Sequence, residues 1–268
     1  MHPILINLWG LEIKTYGTLI AIGILFALFY ITKQAQRENL DVQNALDISI
    51  YIVISGIIGA RIMYVIVDFK YYRNDLLSIF KVWEGGLVFY GGFLAALPVG
   101  YFFLKKKKMP PGKFLDIFAT ALPLGHSFGR IGCFMAGCCY GKPTDVPWAV
   151  TFTNPKSLAY PVLGIPIHPT QLYESLSNLL IFLVLHLSLK RKKFDGQNAI
   201  LYVILYGTAR FIIEFFRGDE RGFIIENAIS TSQGVALILV PAAVILLVYK
   251  IRQQHFASAK INSRKSKK

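Results

Sequence analysis

The 268-residue chain carries 29 Lys and Arg against 15 Asp and Glu, a formal charge of +14. Such a balance suits a nucleic-acid partner or an anionic membrane surface. Yet 54% of the residues are apolar and only 16% are charged, against about 25% charged in a soluble domain, which excludes an ordinary basic DNA-binding domain and a disordered chain. With a mean hydropathy of +0.49, the composition is that of a polytopic membrane protein. Three cysteines, all between Cys133 and Cys139, cannot make a disulfide scaffold.

About 20 apolar residues are needed to cross the hydrocarbon core as a helix. Seven stretches qualify, near residues 16–31, 48–67, 87–104, 114–135, 172–189, 199–216 and 232–248. The first has no small-residue cleavage site after it and reads as mature structure, not a removable signal. Basic residues cluster after the first, third, fifth and seventh stretches, and these clusters hold 18 of the 29 Lys and Arg. The positive-inside rule then places the N-terminus outside and the C-terminus in the cytoplasm, and makes the charge a topology signal, with no nucleic-acid role. The expected fold is all-α: a seven-helix membrane domain over residues 1–252 and a basic, disordered tail over residues 253–268. Between the fourth and fifth stretches, residues 140–169 contain six prolines and the strand-like run Trp148-Ala149-Val150-Thr151-Phe152. This segment is predicted to be a small ordered cap on the outer face.

Polar groups inside membrane helices are costly and usually functional. On this topology Tyr16, Arg61, Glu84, Tyr90, Arg130, His168, Gln171 and Glu174 all fall near the outer ends of their helices. Tyr206, Arg210, Glu214 and Arg217 follow i, i+4, i+8, i+11 and form one stripe. Glu214 can neutralise one arginine of the stripe, which leaves one over, and Arg130 has no carboxylate in its own helix. Such guanidinium groups call for a planar oxyanion, and a lipid phosphate is the one at that depth. Gly125, Gly129 and Gly132 allow a neighbouring backbone or a ligand to come close.

These residues resemble the signature blocks of the prolipoprotein diacylglyceryl transferase family. The matching segments are Gly129-Arg130-Ile131-Gly132-Cys133-Phe134 continuing to Gly141, Trp83-Glu84-Gly85-Gly86 with Gly91-Gly92, and His168-Pro169-Thr170-Gln171-Leu172-Tyr173-Glu174. Tyr206-Gly207, Arg210-Phe211, Glu214-Phe215-Phe216-Arg217 and Tyr16-Gly17 complete the set. The resemblance implies a bacterial cytoplasmic-membrane enzyme with its site toward the outer leaflet. It implies transfer of the diacylglyceryl group of phosphatidylglycerol to the lipobox cysteine of a prolipoprotein, with release of glycerol phosphate. No metal or organic cofactor is implied. Arg130 and Arg210 would stabilise the leaving phosphate, and Tyr16, Gly141, Tyr206, Glu214, Arg217, His168 and Gln171 would bind substrate.

The sequence departs from the family pattern at Tyr90, where His is usual, at Cys133 and Ala136, where Asn is usual, and at Cys138, where Glu is usual. Tyr90, which can keep a hydrogen bond, and His126, which shares a helical face with Arg130, are therefore candidates to stand in for that histidine, and Cys133 is a candidate for a transient acyl or glyceryl carrier. A different acceptor, or a lipid-binding or transport role without this chemistry, stays open. Cys133 and Cys138 stand about 140° apart on an ideal helix, so they share no face unless the helix breaks at Gly137. Packing of the thiols as small groups is the expected state. A disulfide is the first alternative, and a metal site completed by His126 or His168 is the second.

Overall fold

A computed structural model describes residues 1–8, 11–73, 75–81, 85–219, 223–225 and 229–265. Each of the seven apolar stretches lies on a helix. These are α1 (Thr15–Arg37), α2 (Val42–Val67), α4 (Phe89–Lys106), α5 (Pro111–Ala136), α6 (Thr170–Leu189), α7 (Gln197–Glu214) and α8 (Thr231–Lys265). Four have the length and composition to cross a membrane: α1, α2, α6 and the Thr231–Gln254 part of α8. Among the others, α5 and α7 carry Arg130, Arg210 and Glu214 within the helix. The backbone of α8 stays helical to Lys265, past Gln253, where the sequence suggests a tail.

The fold is not purely helical. Three two-stranded antiparallel ribbons accompany the helices: β1 (Ile4–Leu8) with β2 (Leu11–Lys14), β3 (Val150–Thr151) with β4 (Pro166–Ile167), and β5 (Phe223–Ile225) with β6 (Ile229–Ser230). Only β3 falls in a run that reads as strand in the sequence. The others are too short for alternation to register against the apolar background.

Burial is inverted relative to a water-soluble protein. In α6 the buried residues are Thr170, Gln171, Glu174, Ser175 and Asn178, followed by Ile181, Leu185 and Leu189. Its exposed residues include Leu176, Leu179, Leu180, Leu183, Val184 and Leu187. An aliphatic exterior around a polar stripe suits a hydrocarbon solvent, where polar groups seek partners on neighbouring helices.

The chain forms two compact units, Leu28–Phe114 and a second made of Met1–Ala27 with Leu115–Lys268. In the first, α2 and α4 cross where Gly59 and Gly91 meet backbone to backbone. A four-residue helix, α3 (Phe69–Tyr72), and a 3-10 turn at Leu76–Phe80 follow α2. Arg61 is buried there and spends its guanidinium on the carbonyls of Ser78, Ile79, Lys81, Gly85 and Gly86. It is thus a loop organiser. Trp83 and Glu84 lie outside the described residues.

In the second unit the start of α7 has no side-chain cap of its own. Asp116 of α5 supplies one, accepting hydrogen bonds from the backbone N–H of Gly196, Asn198 and Ala199 at 2.9, 2.8 and 3.3 Å, with Lys192 at 3.3 Å. Asn198 closes the arrangement by donating to Thr120 and to the Leu185 carbonyl. Asp116→Ala leaves these buried donors without an acceptor. It is expected to cost about 1–3 kcal/mol, read as a lower unfolding midpoint of the detergent-solubilised protein, with Asp116→Asn losing less.

Residues 140–169 are ordered around a small core of Phe152, Ala159 and Ile167, all fully buried, against Met1, Phe134 and Tyr140. The β1–β2 ribbon is tied to this cap by Asn154 donating to the Met1 carbonyl and by a Lys156–Glu12 ion pair.

Candidate functional site

The centre of the site is Glu174, on the polar stripe of α6 one turn in from its start. Its carboxylate is 2% exposed and meets three arginines. Oε1 accepts from Arg210 Nη1 and from Arg217 Nη1, each at 2.9 Å. Oε2 pairs with Arg130 Nε. Arg210 also pairs with Glu214 at 2.5 Å and donates to Ser232. Arg217 makes a two-pronged contact with Asp219, 2.9 Å on each arm. Three guanidiniums thus face three carboxylates from α5, α6, α7 and the turn after α7, and the cluster is charge-balanced.

This corrects the sequence reading in one respect. Neither Arg130 nor the surplus arginine of the α7 stripe lacks a carboxylate, because Glu174 reaches all of them from another helix. The missed signal was an excess of cations on two helices with one carboxylate at matching depth on a third. Asp219, just beyond the stripe, was missed for the same reason.

The arginines differ in access. The Arg130 side chain is 15% exposed, against 9% for Arg210 and 2% for Arg217. Its contacts to Glu174 and His126 both run through Nε. Arg130 is the guanidinium of the cluster best placed to meet a ligand.

His126 does share the face of Arg130, but as a hydrogen-bond acceptor: Nε2 takes the Arg130 Nε–H at 3.1 Å. The ring also packs against Tyr206. That arrangement fits a group that orients Arg130 better than a free base. His126→Gln, which keeps an acceptor, is expected to retain transfer within about tenfold, whereas loss of a proton-transfer group costs about 10²–10⁴-fold. Initial rates of the two proteins distinguish the roles.

The remaining candidates take different places. Tyr16, half exposed at the start of α1, lies over Gly132, and Gly23 meets Gly125 further along the same two helices. Gly141 sits in a backbone crossing, paired with Arg217 and with no room for a Cβ between His168 and Phe216. It therefore holds the end of α7 to the cap. His168 joins a chain in which its Nδ1 meets the Tyr173 hydroxyl at 3.2 Å and Trp148 donates to that hydroxyl at 2.7 Å. Gln171 is fully buried and donates to the Cys138 carbonyl, as Thr170 does to that of Cys139, both at 2.8 Å. Gln171 thus fixes the backbone of the cysteine turn. Tyr90 is exposed near the start of α4, in the other compact unit.

The helix does break at Gly137. α5 ends at Ala136, Gly137 adopts φ +84° and Cys139 φ +62°. The reversal brings the sulfurs of Cys133, Cys138 and Cys139 within 4.8 Å of one another, and none of the three forms a disulfide.

The prolipoprotein diacylglyceryl transferase family model matches residues 3–249. The chain belongs to that family. It is 40% identical to a phosphatidylglycerol–prolipoprotein diacylglyceryl transferase of Clostridium tetani, over 90% of this chain and 94% of that one. A protein of the same name from Finegoldia magna is 39% identical over 92% and 95% of the two chains. Another, from Thermotoga maritima, is 38% identical over 79% and 73%. The family match spans both compact units and the residues of the cap, so the arginine cluster lies inside the matched range.

Proposed function

We propose that this protein transfers the diacylglyceryl group of phosphatidylglycerol to the lipobox cysteine of prolipoproteins, forming a thioether and releasing glycerol phosphate. Arg130, backed by the buried Glu174 network and the most exposed guanidinium in it, is the observation that carries the reading. The reaction breaks the bond between the glyceryl carbon and the phosphate oxygen, so charge grows on the phosphate. A fixed guanidinium that is already oriented stabilises that charge without reorganising. Arg210 and Arg217, held by Glu214 and Asp219, keep Glu174 in place, and Glu174 with His126 keeps Arg130 in place. Tyr16 and Tyr206 border the same region and contact the lipid headgroup. An acceptor thiol has a pKa of about 8.5, so its ionisation needs help as well.

The seven helices span the bacterial cytoplasmic membrane, with the N-terminus outside and the basic clusters on the cytoplasmic side, where they meet anionic lipids. The cap and the arginine cluster then face the outer leaflet, where a lipid headgroup and a signal-peptide cysteine can meet. Phosphatidylglycerol with labelled acyl chains, supplied with a lipobox peptide, tests the assignment. Label is expected on the peptide cysteine; label held only non-covalently by the protein would contradict it.

A further inference from the structure

The three thiols at the end of α5 belong to none of the arginine–carboxylate pairs, yet the fold gathers and pins them. Cys133 ends the buried face of the helix, the Gly137 reversal returns Cys138 and Cys139 to it, and Thr170 and Gln171 of α6 hold the two carbonyls of the turn. Gly137 has no room for a side chain against Ser157, so the reversal is itself packed in place.

We propose that Cys133, Cys138 and Cys139 form a three-thiolate site for a thiophilic divalent cation, with Zn²⁺ as the natural occupant, and that its fourth position is open. A Zn–S bond of about 2.3 Å in tetrahedral geometry sets sulfurs about 3.8 Å apart. The sulfurs lie within 4.8 Å of one another, so closure asks for a shift of about 1 Å or less. A disulfide uses only two of the three, and needs a sulfur pair at about 2.05 Å. Neither imidazole expected to complete the site joins it: His126 is bonded to Arg130 and His168 to Tyr173. Among the described residues the cluster has these three ligands only. Three protein ligands with one vacancy is the pattern of catalytic and not structural zinc. Binding releases three thiol protons and leaves a net charge of −1. Cys138 and Cys139 are partly exposed, so the vacancy is reachable.

The use of this site rests on the transferase reading. An acceptor thiol entering the vacancy gives its proton to solvent and binds as thiolate. Its sulfur then attacks the glyceryl carbon, the C–S bond forms, and the C–O bond to phosphate breaks with its electron pair on the phosphate oxygen near Arg130. The thioether, a poorer ligand, dissociates and the three-thiolate site is restored.

The test is a Co²⁺ titration of the purified full chain, followed by sulfur-to-metal charge-transfer absorption, with metal content measured on the protein as isolated. About one ion per chain is expected. Cys133→Ser, Cys138→Ser and Cys139→Ser should each weaken Co²⁺ binding at least tenfold without changing the elution profile. Equal binding by the wild type and the three variants, or a disulfide in the wild type by mass, overturns the site. Full transfer by protein stripped of metal overturns thiol activation, while loss restored by Zn²⁺ supports it. A zinc-loaded protein that binds but never transfers overturns the transferase reading and leaves the metal site standing.

Discussion

Glu174→Gln is expected to cost about 3–5 kcal/mol of stability and to abolish transfer. The carboxylate is buried and pairs with Arg130, Arg210 and Arg217 at once. An amide of the same shape keeps the volume and removes the charge, so three guanidiniums face only Glu214 and Asp219. Cations buried with too few counter-charges are expensive, far more so than a broken surface pair, which is worth about 0–1 kcal/mol. Unfolding in detergent against denaturant reads the loss directly. A change below about 1 kcal/mol would mean that Glu174 is not the centre of the network.

Arg130→Lys is expected to separate chemistry from folding. The lysine keeps the positive charge but lacks the planar guanidinium whose Nε serves both Glu174 and His126. Transfer should fall by about 10²–10³-fold, the loss seen when one pre-set donor to a developing oxyanion is removed. Stability should fall less than in Glu174→Gln, because Glu174 retains Arg210 and Arg217. Arg217→Lys should show the opposite balance: its side chain is 2% exposed and bound on both sides, so folding suffers first. Parallel measurement of transfer rate and unfolding midpoint for the two variants checks the contrast.

Helix positions were legible in the sequence because long apolar runs leave a strong signal: all seven lie on helices. The polar residues within apolar helices were legible too, which brought out Arg130, Arg210, Glu214 and Arg217. What pairs with what was not. Glu174 sits 44 residues from Arg130 and 36 from Arg210 in the chain, and helical spacing says nothing across helices. The same limit hid Asp116 as the cap of α7. The cysteines show how a single backbone feature matters: on an unbroken helix Cys133 and Cys138 diverge, and the left-handed turn at Gly137 and Cys139 gathers all three. Gly141 and Gln171, expected to bind substrate, also hold the cap and the cysteine turn against the helices.

The central claim is that the exposed side of Arg130 receives the phosphate that leaves in the reaction, and inhibition by glycerol phosphate tests it most directly. With the wild-type protein, glycerol phosphate should compete with phosphatidylglycerol. In Arg130→Lys its inhibition constant should rise about tenfold or more, roughly 1.4 kcal/mol of lost binding. Equal inhibition constants in the two proteins, or inhibition that phosphatidylglycerol does not relieve, would contradict the assignment.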